Sequence, residues 1–275
     1  MAIYLIDPGQ TLWRRSQTFP ALINLRSPQA RNLQLWLPLT APNLWQIGKP
    51  QPVSGQVTQV SAPPLFGDPT FGLVPQFDGT ADAASVAMDL SGYAQITVSF
   101  WLYWNAFAND DDLCAEYSAS WDGASAFIID PNQSTSGAFF VGLSATSNKW
   151  SDTFTRPSAG AWHHYVWGVD RTTPANTVWV DGVSQTLSTF THTAATYGNF
   201  SNSTLYLMSR ATTSLFGAGK ISDLRIYSGL PNTAMARALY DPATRWDLYA
   251  QPSRRVMVNI SSASAPKRLM TLGVG

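Results

Sequence analysis

The chain has 275 residues, 45% of them hydrophobic and only 12% charged, which supports a sizeable core and excludes an intrinsically disordered chain. Seventeen basic residues balance seventeen acidic ones. Zero net charge argues against nucleic acid or an anionic membrane as the main partner, and it weakens repulsion between neighbouring copies. The opening stretch, MAIYLIDPGQTLWRR, has a short apolar run broken by Asp7 and Pro8 with no basic residues before it, so it does not fit a secretory signal peptide. No run of about 18 apolar residues is present, so no membrane-spanning helix is expected. The single cysteine, Cys114, allows no intrachain disulfide and reads as a buried small hydrophobe.

In chain order, residues 1–31 carry Arg14, Arg15, Arg26 and Arg31 among Pro8, Pro20 and Pro28, and read as an extended N-terminal arm. Residues 32–249 form one domain with a hydrophobic period of two rather than 3.6. In ITVSFWLYW (residues 96–104), Ile96, Val98, Phe100, Leu102 and Trp104 share one face, and Thr97, Ser99, Trp101 and Tyr103 share the other. The segments SAFIID, GAFFVGLSA, WHHYVWGVD, TVWVDGVSQ, STLYLMSR and GKISDLRIY follow, separated by clusters of Gly, Pro, Asn, Asp and Ser. Many short antiparallel strands without intervening helices predict an all-β, two-sheet sandwich of the jelly-roll type. The late segment PNTAMARALYD (residues 231–241) predicts one short helix, capped by Asn232 or Thr233, with an apolar stripe of Met235, Leu239 and Tyr240 that needs the sandwich to dock on. Residues 250–275, with Arg254, Arg255, Lys267 and Arg268, read as a C-terminal arm.

The stretch AWHHYVWGVDRTTPANTVWVDGVSQ tests whether the chain carries a catalytic or metal-binding strand. Strand alternation puts Trp162, His164, Val166 and Gly168 on one face and His163, Tyr165, Trp167 and Val169 on the other. The two adjacent histidines therefore point to opposite sides and cannot share a metal. Asp181-Gly182 is the dipeptide of a two-residue hairpin with positive φ. The stretch reads as two paired strands with structural histidines.

Taken together, the ordered motifs FDGTADAASV, LSGYAQITVSFWLYW, AGAWHHYVWGVDR, NTVWVDGV, STLYLMSR and GKISDLRIYSGLPNTAMARALYD resemble the laminin-G-like, concanavalin-A-like jelly-roll superfamily. LQLWLPLT (residues 33–40) matches its opening strand, and the resemblance covers roughly residues 33–249. It implies two antiparallel sheets face to face, one of them concave, in proteins that bind glycans or proteins, frequently with calcium, and in some relatives that are glycosidases. Fold alone does not choose among these.

The residues argue against an enzyme. Glycoside hydrolysis needs two carboxylates at a set separation. The glycanase branch of the superfamily carries them in a Glu-x-Asp-x-x-Glu strand or a similar cluster, whereas this chain has a single glutamate, Glu116. No Gly-x-Ser-x-Gly elbow, Walker loop or His-Glu-x-x-His motif is present, and His192 sits in a Thr-rich polar segment.

Several features suit binding instead. Asp110, Asp111 and Asp112 follow the strongest strand and offer the clustered oxygens that calcium takes, or simply a solvated acidic turn. Asp78-Gly79 reads as a hairpin turn. Trp101 and Tyr103 share the face opposite the expected core, where Trp167 and Trp179 could neighbour them, and Trp121, Trp150 and Trp246 lie in loops or near ends. Trp101, Tyr103, Trp121 and Trp150 are the candidates for a sugar platform. Arg14, Arg15, Arg245, Trp246, Arg254 and Arg255 are the candidates for a protein interface, Arg and aromatics being the enriched hot-spot types. ATRWDLYAQPSRR also reads as an ordinary chain end packing back on its domain. The arms suit contacts with other copies or neighbouring structural proteins. The expectation is a non-enzymatic structural or assembly protein, in particular a capsid decoration or fibre-associated component at a virion surface. The alternative is a lectin-like glycan-binding adhesion module, calcium-dependent or not, outside the cell or at its surface.

Overall fold

A computed structural model describes residues 23–40, 57–61, 63–107, 112–123, 125–133 and 137–249. In chain order the strands are β1 (Leu33–Leu37), β2 (Thr58–Val60), β3 (Leu65–Asp68), β4 (Gly72–Asp78), β5 (Ala83–Asp89), β6 (Gln95–Trp104), β7 (Ala115–Tyr117) and β8 (Phe127–Gln133). They continue with β9 (Ala138–Ala145), β10 (Asn148–Phe154), β11 (Trp162–Asp170), β12 (Ala175–Val180), β13 (Val183–Ser184), β14 (Ser188–His192), β15 (Asn202–Leu207) and β16 (Ala218–Ser228), and helix α1 (Thr233–Tyr240) follows.

The first sheet runs β13-β12-β11-β6-β16-β4-β3, with β1 also paired to β16. The second runs β14-β10-β9-β8-β7-β15-β5-β2. Every ladder is antiparallel. This is the two-sheet jelly-roll sandwich that the period-two pattern predicts, with one short helix.

The period of two fixes which side chains meet between the sheets. Ile96, Val98, Phe100, Leu102 and Trp104 of β6 point inward to face Phe139, Val141 and Leu143 of β9, with Tyr165 and Trp167 of β11 beside them. Burying one such side chain contributes roughly 1.5–3 kcal/mol, and this layer is the main source of stability. Cys114 lies in the same core with no exposed surface, and burial pushes its thiol pKa far up. Asp181 and Gly182 close the β12–β13 turn with φ of 51° and 75°. Asp78-Gly79 differs from the expected hairpin. It is a turn, but β4 belongs to the first sheet and β5 to the second, so FDGTAD carries the chain between sheets. Asp78 Oδ1 accepts from the backbone N–H of Thr80, Ala81 and Asp82, which spends the carboxylate on the turn.

The outer face of the first sheet is covered over much of its area. Helix α1, capped by the Asn232 side chain accepting from Met235 N–H, lays Ala236 and Leu239 on it. Gly168 leaves room for the helix to enter, because a Cβ there would sit 2.5 Å from Pro231 Cδ. After the helix, Trp246, Leu248 and Tyr249 pack on Trp36 and Phe71. Of the segment read as an N-terminal arm, residues 23–31 lie here too. Asn24 N–H donates to Leu248 C=O at 2.7 Å, Ile23 bridges Tyr249, and residues Pro28–Ala30 form a 3-10 turn. A buried ion pair locks this layer: Arg225 holds Asp223 in two hydrogen bonds and also donates to Gln29 Oε1 and Arg245 C=O.

This cover corrects the reading of several aromatic residues. Trp101 faces away from the core as its pattern demands, yet it is only 5% exposed, because Tyr240 stacks on it at 5.8 Å and Arg245 lies over its ring. Trp246 is 3% exposed and half-buried Arg245 is held beneath the same cap, so this end of the chain packs back on its own domain instead of offering a free hot spot. Trp179 joins Trp101 in the covered layer, whereas Trp167 lies on the opposite face, in the main core.

Candidate functional site

The outer face of the second sheet presents the more open chemistry. On β7 the residues Ala115 and Tyr117 turn inward and Glu116 turns out; on β8 and β9 the outward residues include Ile128, the buried Asp130, Phe140, Gly142 and Ser144. The loop before β8 folds Trp121 down onto this face. The indole lies against Gly142, where an added Cβ would meet Trp121 Cη2 at 2.4 Å and Ser151 Cβ at 2.9 Å, so only glycine lets the ring lie this close. Phe140 meets Trp121 edge-on at 5.8 Å and Phe190 at 5.4 Å, and Phe190 is 41% exposed. Leu113, Ile128, Phe140 and Leu215 complete the apolar bed under a half-buried indole.

Two ion pairs flank that aromatic shelf. Lys149 Nζ sits 2.6 Å from Asp122 Oδ1 and 5.5 Å from the Trp121 ring. The hydrogen bond from Lys149 lowers the Asp122 pKa. On the other side Arg210 Nε donates to both oxygens of Glu116, a carboxylate with no exposed surface. Burial raises the Glu116 pKa, the Arg210 hydrogen bond and charge oppose the rise, and Asp122 adds to it. Arg210 is delivered by a loop in which Met208, Ala211, Thr212 and Leu215 all have φ between 49° and 59°. Left-handed backbone at four non-glycine positions is costly and persists only where the surroundings hold it, a pattern that clusters at functional sites. Leu113 N–H, donating to Leu215 C=O at 3.0 Å, is part of that hold.

The other expected site residues fall as follows. Tyr103 lies at the end of the first sheet that the cap leaves open and is half-buried. Trp150 is not in a loop but within β10, half-buried and stacked on His192 at 3.7 Å, with His192 Nε2 bonded to Asp152 at 2.8 Å. Asp112 is half-buried; Asp110 and Asp111, the other two acidic candidates for calcium, and Arg14, Arg15, Arg254 and Arg255 lie outside the described residues. Among the described residues no cluster of three His, Cys, Asp or Glu has metal-ligand geometry, and no helix is long and apolar enough to cross a membrane. His163 points inward and bonds Asp181, while His164 points outward and bonds Ser99, so the two rings lie on opposite faces as the alternation requires.

Sequence reasoning found Trp121 but missed Lys149, Arg210, Glu116 and Phe190 as its companions. The available signal was the lone outward glutamate of CAEYS, flanked by two inward apolar residues. Its partner, 94 residues away, carried no local mark.

Comparison with known proteins agrees with this architecture. A laminin G family model of the concanavalin A-like lectin/glucanases superfamily matches residues 78–234. No sequence match was found among curated proteins. Domain 4 of AbnA, an extracellular arabinanase of Geobacillus stearothermophilus solved with arabinotriose, is similar in fold at 14% identity and TM-score 0.54, over 77% of this chain and 100% of that one. The binding domain of Paraclostridial Mosquitocidal Protein 1 is similar at 13% identity and TM-score 0.56, over 77% of this chain and 52% of that one. The binding domain of botulinum neurotoxin DC, solved with rat synaptotagmin II, is similar at 13% identity and TM-score 0.53, over 76% and 51%. The match thus spans about half of each toxin domain.

Proposed function

The chain belongs to the concanavalin A-like lectin/glucanase superfamily, and on that footing we propose that it is a non-enzymatic binding module whose shelf around Trp121 takes a glycan. The observation that carries this reading is the indole laid on Gly142 with ion pairs on both sides. An aromatic face takes the C–H side of a sugar ring, and fixed charged groups at its rim take the hydroxyls. The fold relative with arabinotriose is a sugar-bound example of the architecture and lends weight to the reading. Two of the carboxylates on this face, Glu116 held by Arg210 and Asp122 held by Lys149, are each committed to a cation, which favours binding over hydrolysis. Calcium enters the proposal through Asp110, Asp111 and Asp112, the last of which directly precedes Leu113 of the shelf bed.

A second reading, assembly at a virion surface, is favoured by one observation. Ile23 and Tyr249 form a bridge, so the two ends of the described domain lie side by side on one face, opposite the shelf. The two readings combine in a displayed adhesin: the capped face holds to the assembly while the shelf faces outward.

The test is a glycan array screened with and without chelator, repeated with Trp121→Ala. Binding to a defined glycan class that Trp121→Ala removes supports the shelf. A blank array in both conditions overturns it, and loss on chelation alone assigns the calcium.

A further inference from the structure

The end of the first sheet beside β3 and β4 carries a second, separate arrangement. Four strands place outward side chains in one transverse row. Trp162 of β11 is the cross-strand partner of Tyr103 on β6, Tyr103 pairs with Lys220 on β16, and Lys220 pairs with Gln76 on β4. Trp162, Tyr103 and Gln76 are half-buried, whereas Lys220 is only 4% exposed. Trp162 meets Tyr103 edge-on at 5.8 Å, packs on Phe71 of the covered cluster at 4.6 Å, and donates its indole N–H to Asp68 Oδ2 at 2.6 Å. The row is therefore rigid at its aromatic end.

Lys220 is the anomaly. A lysine with three N–H donors is almost never buried unless it is paired. Here its Nζ lies 3.7 Å from the Tyr103 ring centroid and 3.9 Å from that of Phe66. Among the described residues no oxygen accepts a hydrogen bond from it. Burial lowers its pKa, and Asp68 partly restores it through charge alone. Two rings supply cation–π attraction, but they satisfy none of the three N–H groups directionally. Phe66 belongs to the edge strand β3 and is 42% exposed beside exposed Leu65 and Leu73, so the ammonium lies under the rim of the sheet, at its accessible edge.

We propose that the row Trp162–Tyr103–Lys220–Gln76 is a ligand seat for a sugar acid, a hexuronic acid residue whose ring lies on Tyr103 and Trp162. Its carboxylate accepts from the Lys220 ammonium, and the Gln76 amide takes a neighbouring hydroxyl. The size of the seat fits the chemistry: two ring faces for one pyranose, one cation for one carboxylate and one amide for one hydroxyl. It lies on the opposite sheet from the Trp121 shelf and does not depend on it.

The experiment titrates the full chain with a trimer of galacturonic acid and with its fully methyl-esterified form, which keeps ring and hydroxyls but removes the charge. Both are followed by calorimetry and repeated with Lys220→Met, Tyr103→Ala and Trp121→Ala. The expected result is that the acid binds at least about tenfold more tightly than the ester, the size of one charge-assisted hydrogen bond. Lys220→Met should erase that difference, Tyr103→Ala should weaken both ligands, and Trp121→Ala should leave the difference intact. No binding of the acid, or equal binding of acid and ester to the unaltered chain, overturns the seat without any variant having to fold. If Trp121→Ala removes acid binding and Lys220→Met does not, the acid belongs to the shelf and the seat is again overturned. A blank with neutral glycans leaves this comparison unaffected, so the shelf and the seat fail separately.

Discussion

Arg210 donates its Nε–H to both carboxylate oxygens of Glu116, at 3.1 and 3.0 Å, and does so over a carboxylate that has no exposed surface. Burial still wins, and the folded pKa of Glu116 lies above its ordinary value near 4.5. In the folded state the proton is then held more tightly than in the unfolded chain. The resulting stability is present in full below the unfolded pKa and is lost as pH rises through the folded one. Glu116→Gln removes this titration while keeping the shape. Urea unfolding of both proteins from pH 3 to 8 should show the original chain losing stability relative to Glu116→Gln as pH climbs above about 4.5. Parallel curves would mean that Arg210 fully compensates the burial.

The contact between Trp121 and Gly142 supports two opposite predictions. Gly142→Ala puts a methyl where the indole lies, 2.4 Å from Trp121 Cη2, and the neighbouring Ser151 Cβ at 2.9 Å leaves no room to yield. Overpacking of this kind costs about 1–3 kcal/mol, and it lifts the ring off the sheet. A fall in urea midpoint together with a red-shifted tryptophan emission checks it. Trp121→Ala should instead leave the sheet in place and weaken glycan binding by about tenfold, the upper end for one aromatic contact.

Most of the sandwich was legible because strands with one buried face must alternate. ITVSFWLYW and WHHYVWGVD put the residues they assign to each face where the structure has them. Even the helix and its Asn232 cap follow from local chemistry. What alternation does not tell is what covers the second face. Trp101 sits on the predicted side, yet Tyr240 and Arg245, more than 130 positions later, cover it. The same blindness to long-range partners hid Arg210 from Glu116, and it made FDGTAD look like a hairpin when its two strands belong to different sheets.

The Asp223–Arg225 pair carries a prediction about that cover. Arg225 Nη2 sits 2.6 Å from Asp223 Oδ2, both side chains are almost wholly buried, and Trp36 Nε1–H donates to Asp223 Oδ1 at 2.8 Å. Removing one partner leaves an uncompensated buried charge and costs about 3–5 kcal/mol. Arg225→Met should therefore destabilise strongly, and the double change Asp223→Asn with Arg225→Met, which suits the left-handed backbone at φ 51° and keeps an oxygen for Trp36, should recover much of the loss. Equal destabilisation of single and double variants would show that the pair matters for the Gln29 and Arg245 contacts and not for its own charge balance.

The last prediction concerns the ends of the chain. A domain boundary at residue 32 would discard Gln29, which accepts from Arg225 Nη1 at 2.6 Å and donates to the carbonyls of Ala238 and Thr244. It would also discard the Asn24 contacts to Asp247 and Leu248. A buried guanidinium that loses an acceptor costs more than an ordinary hydrogen bond, about 1.5–3 kcal/mol. A chain trimmed to residues 23–249 should then unfold at a clearly higher urea concentration than one trimmed to residues 32–249. Light scattering of the full chain against the 23–249 chain isolates the two flanking segments without damaging the layer beneath them. A defined oligomer that disappears on this trimming assigns assembly to residues 1–22 and 250–275. Monomers in both cases would leave the shelf as the working surface and remove the support for assembly by self-association.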